Sequence, residues 1–203
     1  MIRIRTRLHG LTLGLLLAGC ASAPLHYYTL VAPAGGAEPV AAASPLSFEL
    51  MPVNVPAQVD QPQLVVREGG QGVALLGSER WIAPLADEVR GALSADLVRQ
   101  LHGADLSGMA VGEKPRLRIK LDVRRFDSAP GAYALIDAAW SVRAAAGDSP
   151  AALACTTRVR EAVGAGYPAL VQGHQRAIAQ IAAQIATAAR ALADGQKAAC
   201  PAA

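Results

Sequence analysis

Arg116-Leu117-Arg118-Ile119-Lys120-Leu121-Asp122-Val123 is the stretch that decides the fold. Leu117, Ile119, Leu121 and Val123 alternate with charged residues, so the segment is a β-strand with one buried face and one wet face. Downstream, Ser128-Ala129-Pro130-Gly131 reads as a turn. Tyr133 to Arg143 then places Ile136, Ala138, Trp140 and Val142 on one face. Gly147-Asp148-Ser149-Pro150 turns the chain again, and Leu153 to Val163 lines up Leu153, Cys155, Val159 and Val163. Three strands joined by tight turns predict an antiparallel meander.

The segments around this meander supply the second layer. From Pro84 to Leu101, Leu85, Val89, Leu93, Leu97 and Leu101 recur every fourth residue, the stripe of an amphipathic helix. Pro84 suits its first position and Gly103 its C-terminal cap. In Ala169 to Ala193, the residues His174, Ile178, Ile181, Ile185, Ala188 and Leu192 form a narrow seam on an alanine-rich helix, which ends near Gly195. Gln63 to Glu68, the turn Gly69-Gly70-Gln71-Gly72 and Val73 to Leu76 predict a hairpin. Phe48 to Val55 is β-prone, and Pro52 confines it to a sheet edge or a bulge. His26 to Leu30 is a short β-prone stretch, and 32–45 is an Ala/Gly/Pro-rich loop. The expected class is α+β: one domain over 46–203, with an antiparallel sheet and two main helices on one face.

The first nineteen residues do not belong to that domain. Arg3, Arg5 and Arg7 form a basic region, Leu11 to Leu17 is apolar, and Leu17-Ala18-Gly19-Cys20 matches the bacterial lipobox. The apolar run is far shorter than the roughly 20 residues that a membrane span needs, so 1–19 reads as a signal peptide. Cleavage is expected after Gly19. Cys20 would then carry the lipid, a thioether-linked diacylglycerol and an N-acyl chain of the palmitate type. Residues 20–45 would join this anchor to the domain. Each buried methylene contributes about 0.8 kcal/mol, and two acyl chains already anchor a protein stably. The residue after the cysteine is Ala21 and not an aspartate, which points to the periplasmic face of the outer membrane.

Three of the 19 basic residues lie in the leader, which has no acid, so the mature chain carries 16 of each sign. The basic balance is a property of the leader and does not imply nucleic acid as a partner. Of the three cysteines, Cys155 and Cys200 are left once Cys20 is acylated. A disulfide between them suits an oxidising compartment and would close a loop of 46 residues. Such a loop is worth about 4 kcal/mol in the chain-entropy model. The other reading is two separate thiols, one buried and one on the tail.

A catalytic pattern is not found. His9, His26, His102 and His174 stand apart, without cysteine or acid partners at metal-ligand spacing, so neither a metal nor a soluble cofactor is expected. Gly164-Ala165-Gly166 is no dinucleotide fingerprint and reads as a strand-to-helix turn. Arg116, Arg118, Lys120, Arg124 and Arg125 make a basic stripe with Asp122 and Asp127 beside it. It reads as a solvated strand face in preference to a contact for lipid phosphates or an acidic partner. Ser78-Glu79-Arg80-Trp81 is either an interface anchor or a staple at the helix entrance.

Several stretches together carry a family likeness: the lipobox, Tyr27-Tyr28-Thr29-Leu30, the proline-containing strand around Pro52 to Pro56, Val59-Asp60-Gln61-Pro62-Gln63-Leu64-Val65-Val66-Arg67, Glu79-Arg80-Trp81 and Pro84-Leu85. The chain resembles the ABC-type transport auxiliary lipoproteins, which include the lipoprotein of the paraquat-inducible Pqi system. The family commonly has a basic residue where Gln61 stands. The resemblance implies a non-enzymatic partner of MCE-domain tunnel proteins in intermembrane lipid transport, with some members forming homo-oligomeric rings. It marks Asp60, Gln63, Arg67, Arg80 and Trp81 as candidate partner contacts. A structural reading competes with it: Asp60-Gln61-Pro62 sets a turn, and Arg67 and Arg80 pair across the hairpin with Glu68 or Glu79. The alternative functions are an accessory lipoprotein of another outer-membrane assembly machine, or a lipid-anchored enzyme.

Overall fold

The computed structural model describes residues 23–33, 45–109, 117–144 and 151–201. The signal peptide, Gly19 and Cys20 lie outside the described residues, as do Arg116 and the turn at 147–150. Among the described residues seven strands and two helices follow in order: β1 (His26–Tyr28), β2 (Phe48–Leu50), β3 (Gln63–Gly69), β4 (Gly72–Trp81), α1 (Leu85–Leu101), β5 (Leu117–Ala129), β6 (Tyr133–Ala144), β7 (Ala152–Ala162) and α2 (Tyr167–Ala193). The architecture is α+β, as the patterns require.

The antiparallel meander forms as β5-β6-β7, with Leu121 opposite Trp140 and Trp140 opposite Cys155. The expectation of one antiparallel sheet needs correction. There are two mixed sheets, ordered β1-β4-β3 and β2-β5-β6-β7. β1 runs parallel to β4, and β2 runs parallel to β5. Both are tripeptides reached through long connections, so no hairpin turn forces an antiparallel entry. β2 is the edge strand that Pro52 demanded.

β5 also runs further than its pattern suggested. Ser128 and Ala129 are strand residues, and the turn comes later, where Gly131 takes φ 74°. The reason is a bulge: Val123 faces Ala138 while Arg125 faces Asp137, so Arg124 is an extra residue. The insertion breaks the alternation that locates a strand by period. Beyond it Phe126, Asp127, Ser128 and Ala129 are all buried.

The helices cover the inner face of the four-stranded sheet. All five leucine and valine positions of the α1 stripe are buried, as are all six positions of the α2 seam. Pro84 caps α1 from outside, one residue before the expected position, and His102 takes the left-handed C-cap conformation at φ 52°. Gly103 has a different role from the one expected. A Cβ there would lie 2.1 Å from the Leu46 carbonyl oxygen, so the glycine lets the chain before β2 cross the helix end. Gly173 does the same for α2, where a Cβ would lie 2.3 Å from Val163 Cγ1. Inside the core, Trp140 Nε1 donates to Thr157 Oγ1 (2.9 Å), whose hydroxyl donates to Gln184 Oε1 (2.6 Å). Cys155 and Cys200 are bonded, with Cα atoms 5.5 Å apart, and this holds the C-terminal tail against β7.

Candidate functional site

The motif residues come together where the N-terminal segment meets the β3–β4 hairpin. β1 lies along β4, pairing His26 with Glu79, Tyr27 with Arg80 and Tyr28 with Trp81. Residues 26–30 thus form a strap, and its side chains fasten it. Tyr28 Oη donates to Glu79 Oε2 (2.6 Å), and His26 Nδ1 lies 2.9 Å from Glu79 Oε1. Ser78 Oγ donates to the same Oε1 at 3.2 Å. The hydrogen bond from Tyr28, with His26 beside it, holds the Glu79 carboxyl below its ordinary range even though desolvation opposes this. Burial and the Glu79 carboxylate push the Tyr28 phenol up to about 12. The next residues of the strap attach to α1. Thr29 Oγ1 (2.8 Å) and the Leu30 amide (2.7 Å) both donate to Glu88 Oε2. Glu88 stands in the first turn of α1, where a carboxylate also favours the helix dipole.

The opposite side of this sheet faces outward. The registers place Tyr27, Arg80 and Gln63 side by side across three strands. Residues paired in register share a face. Tyr27 is 56% exposed, and Val73, Leu75 and Ile82 on or next to β4 are likewise exposed. Tyr27 thus lies beside the Arg80 side chain on this face, and Ile82 is exposed two residues further along. Asp60 is exposed just before β3.

Two candidate contacts are placed elsewhere. Trp81 is only 5% exposed and packs edge-on against Phe126, with ring centroids 6.1 Å apart. Two-residue periodicity along β4 turns Trp81 inward with Glu79 and leaves Arg80 outside. Trp81 is therefore a core residue and offers a partner no surface. Arg67 donates through Nε to Asp127 Oδ1 (2.7 Å), clasping the three-stranded sheet to β5. Arg125 and Tyr133 also donate to Asp127. Burial works to raise the Asp127 carboxyl, but the two guanidiniums outweigh it and hold it below its ordinary range.

The expected cross-hairpin pairs do not form. Arg67 meets Asp127 and not Glu68, and Arg80 Nε donates to the Gly77 carbonyl (3.4 Å) while Glu79 faces the strap. The Asp60-Gln61-Pro62 bend does form, and the Trp81 amide donates to the Pro62 carbonyl at 2.9 Å.

The geometry joins the N-terminal strap, the β3–β4 hairpin and α1 into one unit built from the motif residues. A family model described as the ABC-type transport auxiliary lipoprotein component matches residues 28–186. The chain belongs to this family. The match opens on Tyr28, the strap tyrosine, and runs into α2. This auxiliary lipoprotein is also similar to solved structures. One is an uncharacterized protein, 17% identical, with a TM-score of 0.61 over 81% of this chain and 98% of that one. Another is a DUF330 protein from Xanthomonas campestris, 15% identical, with a TM-score of 0.48 over 72% of this chain and 86% of that one. No curated protein matches the chain.

Sequence reasoning missed Glu79 and Glu88 as anchors of the strap. A signal was present for Glu79, since it stands two residues from Trp81 and shares its face. Glu88 had a weaker one, an acid three residues after Leu85 on the apolar side of α1. The Ser128–His174 pair was missed as well. His174 Nε2 lies 2.8 Å from Ser128 Oγ, and the ring stacks on Phe126 at 3.9 Å. Burial drives the imidazole down to about 3, so it stays neutral. Among the described residues no group of three metal-binding side chains occurs, and no helix is long and apolar enough to cross a membrane.

Proposed function

We propose that this auxiliary lipoprotein is held on the periplasmic face of the outer membrane through lipid on Cys20, and that it docks the far end of an MCE-domain tunnel in an ABC-type lipid transport system. The family's transport-auxiliary role supports the general assignment. The observation that carries the docking reading is the strap. His26 follows Cys20 by only six positions. An extended chain of that length reaches about 20 Å, so the three-stranded sheet is kept close to the membrane. The outward row of Tyr27, Arg80 and Gln63 belongs to this same sheet.

Such a row has the composition of an interface centre, where aromatic and arginine side chains supply most of the binding energy. Anchoring adds to it. A domain confined to the membrane surface meets a partner that reaches the same surface at a raised effective concentration. No bond is made or broken in this role; the chain binds, orients and retains the tunnel end while phospholipid passes.

The test is site-specific photo-crosslinking in intact envelopes. A photoreactive residue at Tyr27 or Gln63 is expected to capture an MCE-domain protein, and one at Val98 on α1 is not. Arg80→Glu should weaken co-purification by about tenfold, the loss of one interfacial arginine contact. Capture from Val98 alone would overturn the surface. Capture of no MCE protein from any position would overturn the partner. Density-gradient fractionation should place the protein with outer-membrane markers, and Cys20→Ala should release it.

A further inference from the structure

The helices cover only one face of the four-stranded sheet. On the other face, the registers set Lys120 beside Ser141 and Ala154 in one row, and Asp122 beside Ala139 and Thr156 in the next. The centre of the face is therefore built of small side chains. Above it lies a trough of about 560 Å³, bordered by β5 on one side and by Cys200 and Pro201 of the tethered tail on the other.

Positive charge is gathered around this trough although the mature chain is balanced. Arg118 and Arg143 stand directly opposite each other in the β5–β6 register. Like charges in that position destabilise a sheet. The bulge adds Arg124 next to Arg125, both exposed. Arg118 is paired with Glu49, Arg125 with Asp127 and Arg158 with Asp137. Among the described residues no carboxylate pairs with Lys120, Arg124 or Arg143. One acid, Asp122, lies in the trough between Lys120 and Arg124 on the same strand.

We propose that this outer sheet face is a second docking surface, and that it takes an acidic segment of a protein partner. Charge complementarity selects the sign of the occupant, because cations left facing one another are relieved by an anionic partner. A second copy of this face is disfavoured, since a two-fold contact would set cations against cations. A flat headgroup layer would meet only the raised cations and leave the recessed floor of Ala139, Ser141, Ala154 and Thr156 unfilled. A peptide segment reaches both, laying its backbone on the small residues and its carboxylates on Lys120, Arg124 and Arg143. This inference does not depend on the docking row of the other sheet.

The experiment uses the lipidated protein in neutral detergent, titrated with a fluorescent peptide of alternating glutamate and alanine and followed by anisotropy. Lys120→Gln/Arg124→Gln/Arg143→Gln should weaken binding by about tenfold or more. Ala139→Trp, which fills the trough and leaves the charge intact, should weaken it similarly. Arg176→Gln, on α2 beside Glu161, should leave it unchanged. Equal loss in Arg176→Gln, retained affinity in the triple variant, or no binding by the wild type would each overturn the surface. Normal peptide binding by Ala139→Trp, together with displacement by glycerophosphoglycerol, would overturn the protein segment in favour of a lipid headgroup.

Discussion

Gly173→Ala tests how tightly α2 is pressed onto the sheet. An alanine is favoured over glycine in a helix interior by about 1 kcal/mol, so on propensity alone the change should stabilise. The structure reverses that sign. The new Cβ would stand 2.3 Å from Val163 Cγ1 and 3.0 Å from Ala134 Cβ. An ordinary contact is more than 1 Å longer than the first of these distances. Val163 is buried and β-branched, so it has little rotamer freedom with which to retreat. A contact this short belongs in the upper part of the usual range for overpacking of about 1–3 kcal/mol, at about 2–3 kcal/mol, which after the propensity gain of about 1 kcal/mol leaves a net loss of about 1–2 kcal/mol. For a chain of this size the melting temperature should fall by about 2–8 °C.

The decisive assay is a double-mutant cycle with Val163→Ala, followed by urea denaturation. That substitution removes the clashing methyl and leaves the milder contact with Ala134 and an ordinary one, at 3.7 Å, with the retained Cβ. Gly173→Ala should then be at least about 1 kcal/mol less harmful than in the wild-type background. Equal losses in the two backgrounds would refute the steric argument. Stabilisation by Gly173→Ala alone would do so as well.

Other regions of the molecule give further expectations. Cys200→Ser frees the tail and should lower stability by at most about 4 kcal/mol, because Cys155 and Cys200 are 45 residues apart and the freed tail regains entropy in the folded state; dithiothreitol should reproduce the change in the wild type and have no effect on the variant. His174 is neutral in the folded protein down to about pH 3, whereas an unfolded histidine titrates near 6.5. The unfolded state therefore binds the extra proton in that window, and stability should fall as pH drops through it, by up to about 1.4 kcal/mol per pH unit; His174→Phe should flatten this limb, and an unchanged slope would refute the assignment. Arg67→Ala removes the clasp on Asp127 and should cost about 1–3 kcal/mol, the value of a charged hydrogen bond; the Asp127 carboxyl should titrate higher by NMR, and an unmoved titration would show that Arg67 does not hold it.

What the sequence determined by itself was everything carried by local periodicity and by covalent signals. The α1 stripe, the α2 seam, the alternation of β5 and the glycine turn of the hairpin each report one buried face, and a buried face is legible within a single element. The count of cysteines that pointed to the Cys155–Cys200 bond is local in the same sense. Tertiary structure alone decided matters that depend on which elements meet. Nothing in His-Tyr-Tyr or Phe-Glu-Leu states that each tripeptide joins a different sheet in parallel, because a short strand takes whatever open edge the rest of the fold presents. Trp81 and Arg80 are neighbours in sequence with opposite destinations, set by the phase of β4 against the core. Arg67 had acids nearby in the chain yet pairs with one sixty positions away, since the bulge at Arg124 shifts the phase of β5 and sets Asp127 on the face of Arg125, where Arg67 reaches it. Ion partners and strand neighbours are settled by distance in the folded state, and sequence separation does not encode that distance.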